Sequence, residues 1–240
     1  MFVAALDMRS HHLVIEHSDG RSAAIALAPN RPVGEVVGEG LTAIAGMAGE
    51  VTIDPTPQEV AWTVPLDEDD EHRIYDPDQV TTYFEMASAA GMALTGFRAP
   101  FRGRSTPLNA WWGSFDLAVN LFSGQPAEPP SQDFIMRNAM DAQEVAVGWW
   151  PGDGRYAKPA FYAYAYPPEE GFAGRELETP GYWSEELGEY LLDHEAAAAT
   201  DDPQQTVIDF CGEIFHHACV VCDWNPALAA SAGGDPPPVN

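Results

Sequence analysis

Residues 160–166 read AFYAYAY, an alternation of small or apolar residues with tyrosines. A period of two is typical of a β-strand, and it places Tyr162, Tyr164 and Tyr166 on one face of that strand. Residues 144–150, EVAVGWW, predict a second strand, and the proline- and glycine-rich segment between the two predicts a loop. These two strands are the best-defined part of a predicted antiparallel sheet.

A further long strand is predicted for residues 110–122, AWWGSFDLAVNLF, with a bulge near Gly113. Alternation would place Trp112, Ser114 and Asp116 on the same face. Asp116 is notable because it lies in an otherwise apolar run, and a buried carboxylate must be paired or have a shifted pKa. Two interpretations are open: a functional carboxylate, or a structural ion pair with an arginine, which is the simpler one.

The remaining pattern adds a β-meander at the start of the chain and several helices. Strands are predicted at 2–8, 12–17 and 21–28, with a hairpin turn at Asp19-Gly20. Helices are predicted at 33–48, 133–142 and 184–192. Two further helices should begin at Asp76-Pro77 and at Asp202-Pro203, and the second should run to about Cys222. Short extended pieces are predicted at 50–54 and 59–64. We therefore expect one α+β domain over residues 1–227, followed by a disordered tail over 228–240. The domain should contain a mainly antiparallel sheet of about six strands with helices packed on one face.

The charge balance argues against two classes of binding partner, nucleic acids and anionic membranes. Eleven basic residues face 37 acidic ones, for a formal net charge of −26. A surface this negative repels nucleic-acid phosphates and anionic membranes, so we expect neither as a partner. No apolar run approaches the ~20 residues of a membrane span, no signal peptide is visible, and three cysteines do not form a secreted disulfide framework. A cytoplasmic protein is the expectation, with its oligomeric state open.

Three motifs resemble those of an uncharacterised bacterial family of unknown function. They are PLDEDDEH with YDP (residues 65–77), WGSFDLAV with FSG (112–124) and PAFYAYAYP (159–167). The resemblance implies a shared fold and says nothing about activity. It also implies an additional segment rich in Trp and His before the first strand, and a histidine at the position where this chain has Asn109.

A ligand site is predicted where arginines and aromatic residues come together. Arg98, Arg102 and Arg104 precede the long strand, and guanidinium groups suit carboxylate or phosphate ligands. With Trp112, Tyr162 and Tyr164 they would line a cleft for a small molecule. The alternative is structural: the arginines neutralise nearby carboxylates, and the aromatic rings form core. We therefore expect the protein to act as a soluble, non-enzymatic binding or scaffold domain.

The competing hypothesis is a hydrolase-like enzyme that depends on a metal or on carboxylates. Its candidate catalytic residues are Asp67, Glu71 and His72, in the acidic run 67–72, together with Asp116. Contiguous acidic residues on a loop point in several directions, however, and more often form a solvated surface. The sequence leaves open whether the protein is an enzyme, and it contains no GxSxG, phosphate-loop, GxGxxG or HExxH motif.

A cluster of cysteines and histidines near the end of the chain suggests zinc at first sight. It comprises Cys211, His216, His217, Cys219 and Cys222. All five lie on one predicted helix, and the second half of a typical zinc site is missing. We therefore expect the cysteines to be helix-packing residues, and we expect no metal and no cofactor.

Overall fold

Backbone contacts in the computed structural model, which describes residues 1–57, 62–111 and 113–232, divide the chain into two compact units. They are Met1–Met86 and Ala87–Asn240. The described strands are β1 (Phe2–Asp7), β2 (His12–His17), β3 (Ser22–Ala26), β4 (Asn109–Trp111), β5 (Asp116–Pro126), β6 (Ala142–Trp150), β7 (Ala160–Tyr166), β8 (Tyr182–Ser184) and β9 (Glu189–Asp193). The described helices are α1 (Val33–Ala48), α2 (Pro77–Arg98), α3 (Phe134–Ala139), α4 (His194–Ala198), α5 (Pro203–Val221) and α6 (Pro226–Ala229).

The first unit contains the predicted meander, which forms an antiparallel sheet in the order β1-β2-β3 with α1 packed against β2 and β3. Gly20 adopts φ +93° at the β2–β3 turn, a conformation that glycine reaches without steric cost. Asp76 begins α2, accepting hydrogen bonds from the N–H groups of Asp78 (3.0 Å) and Gln79 (3.2 Å).

The second unit is built on a six-stranded antiparallel sheet in the order β4-β5-β6-β7-β9-β8. One face packs on α5 and forms the core, with fully buried Trp149, Tyr190, Phe210 and Phe215. The fold is therefore α+β with antiparallel sheets, as the sequence predicts. Among the described residues, no helix is both long and apolar enough to cross a membrane.

The prediction of one long strand over residues 110–122 is wrong. The chain turns at residues 113–115, so that β4 and β5 form a hairpin with Trp111 opposite Asp116. Phe115 has φ +55°, a left-handed conformation that a continuous strand does not contain. Trp112, a predicted ligand-binding residue, lies outside the described residues.

The prediction of a helix over residues 184–192 is also wrong. This segment forms the β8–β9 hairpin, which turns at Gly188 with φ +71° and pairs with β7 at the edge of the sheet. Pairing with β7 outweighs the local helical spacing, as tertiary contacts often do. Residues 51–57 and 62–64 form no strand, while 58–61 lie outside the described residues.

Part of the expected C-terminal tail packs on the second unit. Ser231 is 8% exposed, and its hydroxyl accepts a hydrogen bond from the backbone N–H of Arg102 at 3.2 Å. Ala232 is 2% exposed. Residues 228–232 are therefore part of the fold, and residues 233–240 lie outside the described part of the chain.

Candidate functional site

The face of the six-stranded sheet opposite α5 carries two buried carboxyl groups, Asp116 and Glu144. Strand register places Asp116 of β5, Glu144 of β6, Tyr162 and Tyr164 of β7 and Glu189 of β9 on this face. We call these five residues the tyrosine–carboxylate face. The two sequence motifs of the second unit, at 112–124 and 159–167, supply Asp116 and the two tyrosines.

A glycine on β6 lets the two motifs meet. Tyr162 lies across Gly148, where an added Cβ would approach the Tyr162 Cζ to 2.2 Å. The Tyr162 hydroxyl thereby reaches Asp116 and donates to its Oδ2 at 2.5 Å. Ser114, placed by the β4–β5 turn, donates to Oδ1 at 2.5 Å. Asp116 is 7% exposed, and both of its oxygens are bonded to hydroxyl groups.

The expected ion pair between Asp116 and an arginine is therefore wrong. Among the described residues, no Lys, Arg or His nitrogen lies within the 4.0 Å ion-pair distance of Asp116, Glu144 or Glu189. Two neutral donors stabilise the Asp116 carboxylate without neutralising its charge.

Two further carboxyl groups on the same face are partly desolvated. Burial raises the pKa of Glu144 to about 7, although a hydrogen bond from Asn120 Nδ2 at 3.0 Å opposes the increase. Burial raises the pKa of Glu189 to about 7 as well, while the charge of Arg155 acts in the opposite direction. Burial raises the pKa of Tyr164, and the negative charges of Glu144, Glu189 and Asp116 raise it further. Tyr164 therefore lies within the combined field of all three carboxylates.

Aromatic rings surround this set. Tyr162 and Tyr164 stack with centroids 6.3 Å apart, and Trp150 contacts the Tyr162 ring at 5.7 Å. The Trp150 ring also lies beside the Tyr156 ring, with centroids 5.6 Å apart. At the edge of the face, β4 contributes Trp111, which is 44% exposed.

A neighbouring group of residues shows how such a face holds a cation. The Lys158 ammonium binds Asp193 Oδ2 and lies 5.4 Å from the centroid of the Tyr156 ring. Tyr156 also donates a hydrogen bond to Asp193, and its oxygen lies 2.7 Å from the Tyr182 hydroxyl. Asp193 and Tyr156 thus combine a carboxylate with an aromatic ring around one ammonium group, and Lys158 is the only lysine of the chain.

Two of the three predicted ligand-binding arginines have structural side-chain contacts. Arg98 Nε donates to Ser105 Oγ (3.0 Å) and to the Thr106 carbonyl (2.6 Å). The Arg104 guanidinium lies 4.7 Å from the centroid of the Phe122 ring. Arg102 is exposed. Within the described residues none of the three forms an ion pair, so the expectation that they neutralise carboxylates is wrong.

The predicted catalytic residues of the acidic run lie in the first unit, whereas Asp116 lies in the second. His72 pairs with Asp69 rather than with Asp67: its Nδ1 is 2.7 Å from Asp69 Oδ2, and Asp69 is fully buried. Asp67 and Glu71 are exposed. Asp69 also accepts the N–H groups of Glu71 and His72, which explains why a carboxylate three residues before the histidine is the one that pairs with it.

The cysteines occupy packing positions on α5. Cys211 and Cys219 are buried, and burial raises the pKa of both thiols. His217 Nε2 lies 3.0 Å from the Phe172 carbonyl, so at least one of the two histidines binds backbone. Within residues 1–57, 62–111 and 113–232, no three His, Cys, Asp or Glu side chains are arranged to hold a metal ion.

Sequence reasoning missed Glu144 and Glu189. Glu144 begins the apolar run EVAVGWW, so it carried the same signal as Asp116, a carboxylate within a buried strand. Glu189 was not considered because residues 184–192 were predicted to form a helix. The turn glycine Gly188 was the available signal for a hairpin there.

Comparison with known proteins gives a family but no activity. A profile of a family of unknown function, DUF5996, matches residues 1–231. No curated protein and no solved structure matches the chain.

Proposed function

Since the chain belongs to DUF5996, a family of unknown function, we propose a function from the geometry: its second unit binds a small organic cation on the tyrosine–carboxylate face. The ligand class is an amine or a quaternary ammonium compound. This is a non-enzymatic binding function, and carboxylates rather than the three arginines supply the charge of the proposed site.

The observation that carries the proposal is the state of Asp116. It is a nearly buried carboxylate bonded to two hydroxyl groups, with no cationic partner among the described residues. A desolvated carboxylate that lacks a counter-ion is costly, and a bound cation offsets that cost. Glu144 and Glu189 add negative charge from the neighbouring strands.

The aromatic rings favour an organic cation over a metal ion. Quaternary ammonium groups bind over Trp and Tyr faces, where the ring quadrupole attracts the positive charge. Trp150, Tyr162 and Tyr164 supply such rings beside Asp116. The contact of Lys158 with Asp193 and Tyr156 is an intramolecular example of the same chemistry on the same sheet.

The test compares choline with its neutral isostere 3,3-dimethylbutan-1-ol by isothermal titration calorimetry. We expect choline to bind at least about tenfold more tightly, which corresponds to about 1.4 kcal/mol. Asp116→Asn should weaken choline binding, because the side chain then carries no charge. The amide oxygen can still accept the hydrogen bond from the Tyr162 hydroxyl.

Glu176→Gln is the matched control, since it removes one carboxylate from an exposed position. Equal binding of choline and the isostere, or an Asp116→Asn protein that binds choline as the wild type does, would overturn the proposal.

A further inference from the structure

The first unit contains a cavity of about 400 Å³, a volume within the range of small-molecule sites. Its walls are mostly apolar. They include Leu27, Val33, Val36, Val37, Trp62 and Tyr75. His72 and Glu71 are among the polar groups that line it.

His72 is held in one orientation by two contacts. Its Nδ1 is 2.7 Å from Asp69 Oδ2, and the Trp62 ring stacks on the imidazole with centroids 3.9 Å apart. Asp69 itself is fixed, because its Oδ1 accepts the backbone N–H groups of Glu71 and His72, both at 2.9 Å.

The tautomer of the neutral imidazole follows from Asp69. The backbone N–H of His72, followed by the other donors, lowers the pKa of Asp69, so the carboxylate is ionised and can only accept. Nδ1 therefore carries the proton, and Nε2 presents a lone pair. Among the described residues Nε2 has no hydrogen-bond partner, and the His72 side chain is 36% exposed.

The charges around the cavity favour an uncharged ligand. Arg31 is already paired with Glu35 at 3.0 Å and with Glu39 at 2.6 Å. Glu71 and Arg73 add opposite charges to the lining. The Arg73 guanidinium already donates to the Asp70 carbonyl, and the net charge of −26 repels anions. The apolar walls in turn disfavour a charged group of either sign.

We propose that this cavity binds a small uncharged aromatic molecule whose hydroxyl group donates a hydrogen bond to Nε2 of His72. The aromatic body would contact Trp62, Tyr75 and the aliphatic walls. This site lies in the first unit and is independent of the cation site of the second unit.

The probes are phenol and its methyl ether, anisole, which differ in the ability to donate. Binding is followed by NMR at about pH 8, where phenol is uncharged. Wild-type protein should bind phenol about five- to tenfold more tightly than anisole, the contribution of one hydrogen bond. The imidazole nitrogen shifts should show that Nδ1 of His72 carries the proton.

Asp69→Asn provides the sharpest variant. The amide oxygen can still accept the two backbone N–H groups, while the amide nitrogen donates to Nδ1 and moves the imidazole proton to Nε2. The preference for phenol should then disappear or reverse. Asp70→Asn is the control, because the exposed Asp70 side chain has no hydrogen bond to His72 among the described residues.

His72→Phe keeps a ring beside Trp62 and removes the acceptor, so it tests the proposal even if Asp69→Asn does not fold. It should abolish the preference for phenol and leave anisole binding in place. Equal affinity of wild-type protein for both probes, binding of neither, or a preference that survives in His72→Phe would overturn the proposal.

Discussion

Replacement of Glu144 by Gln should stabilise the second unit at alkaline pH and leave its stability nearly unchanged at acidic pH. Glu144 is 2% exposed, and burial raises its pKa from an ordinary 4.5 to about 7. Because the folded protein holds this proton more tightly than the unfolded chain does, stability is lost as the pH rises from about 4.5 to about 7. At about 1.4 kcal/mol per pH unit, the loss is about 3 kcal/mol. Glutamine is uncharged and does not incur it.

The assay is urea unfolding followed by tryptophan fluorescence at a series of pH values between about 5 and 8.5. Six of the seven tryptophans lie in Ala87–Asn240, so the signal reports chiefly on the second unit. The difference in unfolding free energy between Glu144→Gln and wild type should grow by about 2.5 kcal/mol across this range, since a small part of the loss occurs below pH 5. Glu176→Gln should show no such growth. A difference that is the same at both ends of the range would refute the assignment of a desolvated Glu144.

Two other predictions concern the same face. Gly148→Ala should lower the unfolding free energy by about 1–3 kcal/mol and weaken choline binding, because the added Cβ would lie 2.2 Å from the Tyr162 Cζ. Urea unfolding measures the change in stability. Gly154→Ala is the control, because no atom lies within 4 Å of its added Cβ. Equal stability of the two variants would contradict the close approach. Choline binding near pH 7 should release up to about one proton. Glu144 and Glu189, each with a pKa of about 7, are half protonated there, and a nearby cation lowers both pKa values. Calorimetry in two buffers of different ionisation enthalpy measures the release, and identical heats in both would contradict it.

Local patterns were sufficient to predict most of the fold. The alternation in AFYAYAY and EVAVGWW predicts β7 and β6, and Asp-Pro pairs mark the starts of α2 and α5. Asp202 caps α5 by accepting the N–H of Gln205 at 3.0 Å, as such a pair predicts. These features depend on neighbours in sequence, which is why the sequence reveals them.

The two errors in the sheet arose where distant contacts decide the structure. The turn at Ser114 and Phe115 follows from pairing between β4 and β5, and β9 follows from pairing with β7. For the same reason the sequence could not predict the partner of Asp116. Its partner Tyr162 lies 46 residues away and reaches it across the glycine of an intervening strand.

The candidate site was predicted in part. The sequence identified Asp116, Tyr162 and Tyr164 as candidates, and the structure brings these three together. It also placed three arginines in the ligand site. In the structure Arg98 donates to the loop that follows α2, Arg104 contacts the Phe122 ring and Arg102 is exposed. His72 was a candidate catalytic residue, and the structure pairs it with Asp69, since backbone geometry rather than composition selects among the contiguous carboxylates.

The most direct test of cation binding is an NMR titration of protein labelled with ¹³C at the tyrosine rings. On addition of choline, the ring signals of Tyr162 and Tyr164 should shift together and saturate, while that of Tyr75 in the first unit stays in place. 3,3-Dimethylbutan-1-ol at the same concentration should cause little change. Absence of any shift at Tyr162 and Tyr164, or equal shifts with the neutral isostere, would contradict a cation site on the tyrosine–carboxylate face.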